Sequence, residues 1–325
     1  MKSATALRVS ALAALLALAL PALAASPQQQ PRADDYRIMA PGVSPTPLHV
    51  RVLVPATCRI GTLPGCNALY IDDGQDADPV HLVDTVTSLA ASGAISAPVV
   101  IAIDMPPDRM GAYGFSDRAA GRAIVAPTKY GDVGARAHAY SEWLVHTLVP
   151  FVESRYAVRP SPDARAILGW SLGGAHAFNV GWQYPEVFAR VGAFSPSFWL
   201  ATDRTDATTL QRTRIAQSMV ATMPPRTGAR FFVAIGTDEE TSDRDGDGIN
   251  DAVDDVRDLV DGWNVDAGGV NGLRQAGYRI NDDAAHRTDD SDVALYVLDG
   301  GHHQQASWAR MLPVFLRWAY PAHAP

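Results

Sequence analysis

Residues 165–174 read Arg-Ala-Ile-Leu-Gly-Trp-Ser-Leu-Gly-Gly, and they decide the architecture. Ala166, Ile167 and Leu168 are a short apolar run, as expected of a strand covered on both faces. A helical pattern begins directly after Ser171, with only the turn Gly169-Trp170-Ser171-Leu172-Gly173 between them. A strand that gives way so abruptly to a helix needs glycines where a Cβ would clash. It also leaves Ser171 at a helix N-terminus, where unpaired N–H groups and the helix dipole favour negative charge. Gly-x-Ser-x-Gly is a weak pattern by itself, but between a strand and a helix it has the context of an activated serine. The bland alternative is an ordinary turn serine.

The same alternation continues on both sides. Strand candidates are 48–54, 68–71, 98–103, 164–169, 190–194, 230–235 and 293–298. Helix candidates are 80–91, 135–155, 173–183, 208–221, 253–275 and 305–318. Strands without polar alternation, interleaved with helices, predict an α/β fold with a mostly parallel sheet and helices on both faces. Nothing resembles a linker between domains, so 46–325 reads as one domain with a small insert in the 105–135 loop.

Composition fits a globular enzyme: of 325 residues, 47% are hydrophobic and 19% charged, with seven Trp and 26 Gly. The net charge of −8 and the absence of a basic stretch argue against a nucleic-acid partner. At the N-terminus, Lys2 and Arg8 precede an apolar stretch over 10–20, and Pro21-Ala22-Leu23-Ala24 supplies small residues for cleavage. This reads as a signal peptide over 1–24; the alternative is an uncleaved anchor. An exported protein, periplasmic or secreted, is therefore expected, with no membrane association after cleavage. Residues 25–45, rich in Gln, Pro and Ala, read as a flexible leader. Cys58 and Cys66 flank a Gly/Pro loop and are expected to form a disulfide. No further Cys or His lies near enough to suggest a metal there.

A serine hydroxyl needs a base, and the base needs a carboxylate to fix its tautomer. The segment after the last strand, Asp299-Gly300-Gly301-His302-His303, supplies two imidazoles, whereas the other histidines fall on helical patterns, at a strand start, in a polar loop or near the terminus. The strand over 230–235 ends in Gly236-Thr237-Asp238-Glu239-Glu240. A carboxylate there fits the chain order Ser, acid, His; Glu239 is preferred, then Asp238, then Glu240. Two N–H donors must meet the oxyanion of the tetrahedral intermediate. Leu172 follows the serine, and Gln75 sits in the loop Asp72-Asp73-Gly74-Gln75 after an early strand. That loop read alone is a plain Asp-Gly turn.

Together these segments resemble the putative-esterase family of α/β-hydrolases, which includes enterochelin-esterase-like enzymes, feruloyl and acetyl esterases, and mycolyltransferases. The matching pieces are 70–75, the strand over 99–104 followed by Arg109 and Tyr113, 140–156, 169–174, Ser195-Pro196-Ser197-Phe198-Trp199, 236–239 and 301–308. The resemblance runs from about residue 47 to the C-terminus. It implies an α/β-hydrolase fold and ester hydrolysis through an acyl-enzyme, with no catalytic cofactor and a small-molecule ester as partner. Family members carry Gly-x-x-acid after the sixth strand, which implies Glu239. They also carry a His five residues before a Trp, which implies His303 ahead of Trp308; the double His departs from the usual Gly-Gly-His and leaves His302 as the alternate. Arg109, Trp170 and Trp199 are expected at the substrate pocket. Acyl transfer and peptidase chemistry fit the same scaffold, and a non-enzymatic calcium-dependent binding module is a third reading. Sequence is silent on acyl group, alcohol and oligomeric state.

One feature stands outside that set. Asp243, Asp245, Asp247, Asp251 and Asp254 occupy positions 1, 3, 5, 9 and 12 of a calcium-loop spacing, with Gly248 at position 6 and the Ile249 carbonyl at position 7. A structural calcium is expected; the alternative is a solvated acidic loop capping the next helix.

Overall fold

The structure is a computed structural model that describes residues 31–58, 65–225, 227–286 and 291–322; the expected signal peptide lies outside them. Its centre is a nine-stranded sheet. In chain order the strands are β1 (Arg32–Ile38), β2 (Leu48–Val54), β3 (Ala68–Ile71), β4 (Val99–Ile103), the hairpin β5 (Phe115–Asp117) and β6 (Arg122–Ile124), then β7 (Arg165–Trp170), β8 (Arg190–Phe194), β9 (Arg230–Gly236), β10 (Ile280–Asn281) and β11 (Val293–Leu298). The sheet order is β1-β2-β4-β3-β7-β8-β9-β11-β10, with β5 and β6 apart as a two-stranded sheet. β1 and β4 both run antiparallel to β2; every other pairing in the large sheet is parallel. The helices are α1 (Leu82–Ala91), α2 (Arg109–Ala112), α3 (Ala137–Trp143), α4 (Val149–Glu153), α5 (Leu172–Gln183), α6 (Ala207–Thr213), α7 (Ile215–Thr222), α8 (Asp251–Asp261) and α9 (Gln305–Ala319).

Strand periodicity divides the core. Side chains alternate between the two faces of a strand. Tyr70, Ile101, Ile167, Val191, Phe231 and Val233 face one side with α5, α7 and α8. Leu69, Val100, Leu168, Phe194 and Phe232 face the other with α1 and α9. Both faces are covered, which explains why β3, β4, β7, β8 and β9 read as largely apolar runs. This is the α/β-hydrolase arrangement expected from the sequence.

Four departures have local physical causes. Residues 32–38, within the stretch read as a leader, form the edge strand β1. Its alternating exposed and half-buried residues include four charges beside Tyr36 and Ile38, a polar edge with little apolar signal. Tyr36 packs edge-on against Phe151 at 4.9 Å and bonds the Tyr156 hydroxyl at 2.8 Å. The helical run over 135–155 contains a π-helical stretch at Leu144–Leu148 just ahead of Pro150, which has no N–H to give. The run over 208–221 breaks at Arg214, whose buried guanidinium bonds Asp255 and Asp258 of α8. α8 stops at Asp261 rather than near 275, because Gly262 takes φ +85° and turns the chain.

Candidate active site

Strands β7, β8, β9 and β11 are neighbours, and their C-terminal ends carry the residues singled out above. Ser171 joins β7 to α5 at φ 58° and ψ −124°, a conformation few side-chain-bearing residues adopt. Its backbone is held by Ser171 N–H to Phe194 O at 3.0 Å and by Ser197 N–H to Ser171 O at 3.0 Å. The turn needs its glycines. A Cβ on Gly169 would lie 2.3 Å from Gly173 O, and one on Gly173 would lie 2.9 Å from Asp73 Oδ2. Ser171 Oγ does not cap α5.

Glu239 follows β9 and its side chain is 1% exposed. Its Oε2 accepts from His303 Nδ1 at 2.8 Å. Its Oε1 accepts from Gly236 N–H at 2.9 Å and from the Ser195 hydroxyl. Of the three adjacent acids, Glu239 is thus the one whose carboxylate is bonded to a histidine ring. Asp238 accepts from the Thr237 hydroxyl at 3.1 Å. Burial raises the pKa of Glu240, which lines the neighbouring cavity. The two imidazoles separate in the same way: His302 Nδ1 donates to Asp238 O at 2.8 Å, whereas His303 has Glu239. His303 is 42% exposed on the side chain, and its ring meets the Trp308 ring edge-on at 5.5 Å. The structure therefore joins Glu239 to His303; among the described residues Ser171 Oγ has no side-chain hydrogen bond, so the contact between hydroxyl and imidazole is not made in it. Such contacts often tighten only when substrate is bound.

Sequence reasoning missed Ser195. It follows β8 at φ 43°, and its hydroxyl donates to Glu239 while accepting from Trp308 Nε1 at 2.9 Å. Its signals were its place at a strand end beside Pro196 and its membership of the family-like segment 195–199, neither of which assigned it a partner.

Leu172 is the first residue of α5, so its N–H has no acceptor within the helix. Gln75 lies in the one-turn 3₁₀ helix Gly74–Asp76, entered through Asp73 at φ 57°. Gly74 lies against β4, where a Cβ would be 2.5 Å from Ile103 N. The Gln75 side chain is tied back, its Oε1 accepting from Met105 N–H at 2.9 Å.

Two expected pocket residues are committed elsewhere. Arg109 Nε and Nη2 bond the Asp73 carboxylate at 2.8 and 2.6 Å, and Nη2 reaches Trp170 O at 3.4 Å. Burial raises the Asp73 pKa and this guanidinium opposes the rise. Trp170 is buried beneath the site, stacked on Trp308 at 5.4 Å, with Nε1 donating to Asp76 at 3.0 Å. Trp199 does line a cavity of about 180 Å³ with Ser195, Glu239 and His303, and continues into an open cleft of about 600 Å³ bounded by Tyr130, Arg204 and Leu210.

Beneath Ser171 lies a buried polar cluster that sequence reasoning also missed. Asp72, fully buried, accepts from His176 Nδ1 at 2.6 Å and from the Tyr140 hydroxyl at 2.8 Å. His176 Nε2 faces Ser141 Oγ at 3.2 Å. Adjacent acids at a strand end, and a histidine within an apolar helix, were the available signals.

In the acidic loop, the carboxylates of Asp243, Asp245 and Asp247 offer oxygens within 4.8 Å of one another, all exposed. Asp254 stands near them: burial pushes its carboxyl up to about 7, with Asp258, Asp245 and Asp247 adding to the rise. Asp251 departs from the expected ligand set, because Arg244 holds it through the backbone N–H at 2.8 Å and Nε at 3.1 Å. Ile249 packs partly buried against the core. Cys58 and Cys66 form the expected disulfide, their Cα atoms 5.9 Å apart. Among the described residues no helix is long and apolar enough to cross a membrane.

The model of the family described as "Putative esterase" matches residues 44–318. The chain belongs to this family. The uncharacterized protein YbbA of Bacillus subtilis (strain 168) is 25% identical over 175 residues, which cover 54% of this chain and 62% of YbbA; the match thus spans less than two thirds of that relative. Among solved structures, a ferulic acid esterase superposes with a TM-score of 0.60 at 18% identity, covering 90% of this chain and 98% of its own. The enterobactin esterase of Shigella flexneri superposes at 0.57 with 15% identity, covering 88% and 59%. The BES protein of Bacillus cereus gives 0.56 at 14%, covering 89% and 94%. At these identities the likeness is one of fold.

Proposed function

We propose that the chain is an exported serine hydrolase of carboxylic esters, working through an acyl-enzyme with Ser171, Glu239 and His303. The observation that carries this reading is the Glu239–His303 pair, set one strand-end loop away from a strained serine in a chain of the esterase family. Glu239 holds His303 with Nδ1 protonated, which leaves Nε2 free to take the Ser171 proton. Ser171 Oγ then bonds to the ester carbon. The N–H groups of Leu172 and Gln75 meet the negative oxygen. Collapse breaks the bond to the alcohol oxygen, which receives the proton from His303. Water, deprotonated by His303, attacks the acyl-enzyme and frees the acid and Ser171. No step requires a cofactor.

A chromogenic short-chain acyl ester tests this. Ser171→Ala is expected to abolish turnover while leaving the thermal transition unchanged; a variant that still hydrolyses at more than about one thousandth of the wild-type rate overturns it. Acyl transfer is the competing reading of the same machinery, and a rise in transferred product with added alcohol at the expense of free acid would favour it.

Two further readings belong to the chain's setting. The disulfide fits an oxidising compartment and hence cleavage after Ala24, checked by the mass of the mature N-terminus from an exporting host. The convergence of Asp243, Asp245 and Asp247 supports a structural calcium, with Asp254 at its edge. Millimolar calcium is expected to raise the thermal midpoint and Asp245→Asn to remove the rise; an unchanged midpoint excludes it.

A further inference from the structure

The two N–H groups assigned to the oxyanion come from segments about a hundred residues apart. Gln75 is in the loop after β3, and Leu172 is at the start of α5. An oxyanion hole stabilises a transition state only while its donors hold their spacing, and an ångström of drift is enough to cost about two orders of magnitude in rate. Something must therefore lock the loop to the helix.

Backbone contact ties the loop to β7, Asp72 N–H to Leu168 O at 2.9 Å, and Arg109 and Trp170 tie it to the serine turn through Asp73 and Asp76. One side-chain pair ties it to the helix itself. Asp72 stands three residues before Gln75, and His176 stands four residues after Leu172, one turn along the same helix. Their bond at 2.6 Å has no solvent exposure on either side chain. The ring is fixed from every direction. Tyr113 stacks on it at 5.6 Å with planes 17° apart, and Tyr140 leans on it at 4.7 Å. Ser141 Oγ faces Nε2, and Asn179 ties Ser141 to Ser116. On the loop side, Asp72 is also held by Tyr140, and the next residue's N–H donates to the Tyr113 hydroxyl at 3.1 Å.

Stability alone does not account for such a pair. A buried polar pair commonly adds no more than apolar side chains of the same shape, and it leaves a severe penalty if one partner is lost. What the pair does provide is direction: it sets the distance between one loop and one helix in a way that apolar packing does not.

We infer that Asp72 and His176 are positioning residues that couple the two halves of the oxyanion hole, holding the Gln75 and Leu172 N–H groups at the spacing the tetrahedral oxygen needs. This rests on the Ser171 reading above. Neither residue touches substrate.

The test compares Asp72→Asn, His176→Phe and His176→Asn with the wild type, counting active sites by complete reaction with a fluorophosphonate. Turnover of the chromogenic ester per active site is measured beside inhibition by a boronic acid, whose tetrahedral adduct on Ser171 places an oxygen in the hole. In Asp72→Asn and His176→Phe, kcat is expected to fall roughly 10- to 100-fold with KM within about threefold, and the boronate inhibition constant to rise by the same factor as kcat falls. His176→Asn, which keeps an N–H near the position of Nδ1, is expected to recover most of both. If the variants lose thermal stability but keep kcat per active site and boronate affinity, the pair is structural only and the inference fails. Should His176→Phe not fold, the isosteric Asp72→Asn decides alone. Ser171→Ala separates the two levels: activity in that variant removes the serine reading itself, whereas inactivity there with unchanged kcat in Asp72→Asn removes the coupling alone.

Discussion

Glu239→Gln should be close to silent in the fold and severe in catalysis, and the reason lies in the hydrogen bonds around one carboxylate. Both donors on Glu239 Oε1, the Gly236 N–H and the Ser195 hydroxyl, require an acceptor at that position. A glutamine of nearly the same volume meets them with its carbonyl oxygen. Its NH₂ group must then occupy the place of Oε2, facing His303 Nδ1 at 2.8 Å. A donor there obliges Nδ1 to be the acceptor, so the ring carries its proton on Nε2. In that tautomer His303 cannot take the proton of Ser171. The corresponding Asp-to-Asn substitution in a well-studied triad costs about 10⁴ in kcat, or about 5.5 kcal/mol of transition-state free energy. We expect a loss of about 10³- to 10⁴-fold here, with KM little changed. Flipping the amide does not relieve it, because the NH₂ would then meet two donors at a site only 1% exposed. The assay is steady-state turnover of a chromogenic ester near pH 7.5, with far-ultraviolet circular dichroism and the thermal midpoint as controls. A folded Glu239→Gln within tenfold of wild type would refute the reasoning, and Asp238 or Glu240 would have to be tested in its place.

Three other outcomes follow from the packing. Arg214→Met strands Asp258 without its guanidinium, while Asp255 keeps Arg244, so unfolding in urea should show a loss of about 3–5 kcal/mol; a loss under 1 kcal/mol would be inconsistent with a buried partner. Gly169→Ala drives a Cβ into Gly173 O, a backbone atom that cannot swing aside, so both turnover and the thermal midpoint should collapse together. Reducing the Cys58–Cys66 bond, which closes a short loop of separation 8, should cost about 2.5 kcal/mol by the loop-entropy relation and lower the midpoint by several degrees, whereas an identical midpoint with and without reductant would show that the bond constrains little.

Legibility from sequence followed burial. Strands β3, β4, β7, β8 and β9 and the serine turn were readable because both sheet faces are covered and the turn demands glycine. β1 was not, since a polar edge strand looks like any hydrophilic segment until β2 is there to pair with it. α8 was overextended because the Leu, Val and Ala beyond it keep a helical rhythm that Gly262 interrupts. At the site, chain position narrowed the base to His302 or His303 and favoured Glu239 among three acids, and the family resemblance implied His303; what separates them from Asp238 and His302 is which oxygen each ring finds. Ser195, Asp72 and His176 were illegible for a further reason: their partners lie 44 to 113 residues away, beyond any local pattern. Arg109 and Trp170 were noticed as large polar-tipped side chains near a turn, but their tip partners, Asp73 and Asp76, are 36 and 94 residues away and no local pattern names them.

The strand order holds one more consequence. The chain lays down β3 and β4 on one side, then restarts beside β3 with β7 and proceeds the other way through β8, β9 and β11. Gln75 and Ser171 thus follow the two neighbouring strands where the direction of growth reverses, the place where open α/β sheets commonly bind ligands. Glu239 and His303 arrive only with the last third of the polypeptide. On the proposed triad, a nascent chain, however far its first half has folded, holds an incomplete set of groups and cannot turn over an ester. Hydrolysis would therefore begin only once α9 has packed, so that ester cleavage serves as a readout of finished folding for any truncated, permuted or refolding form.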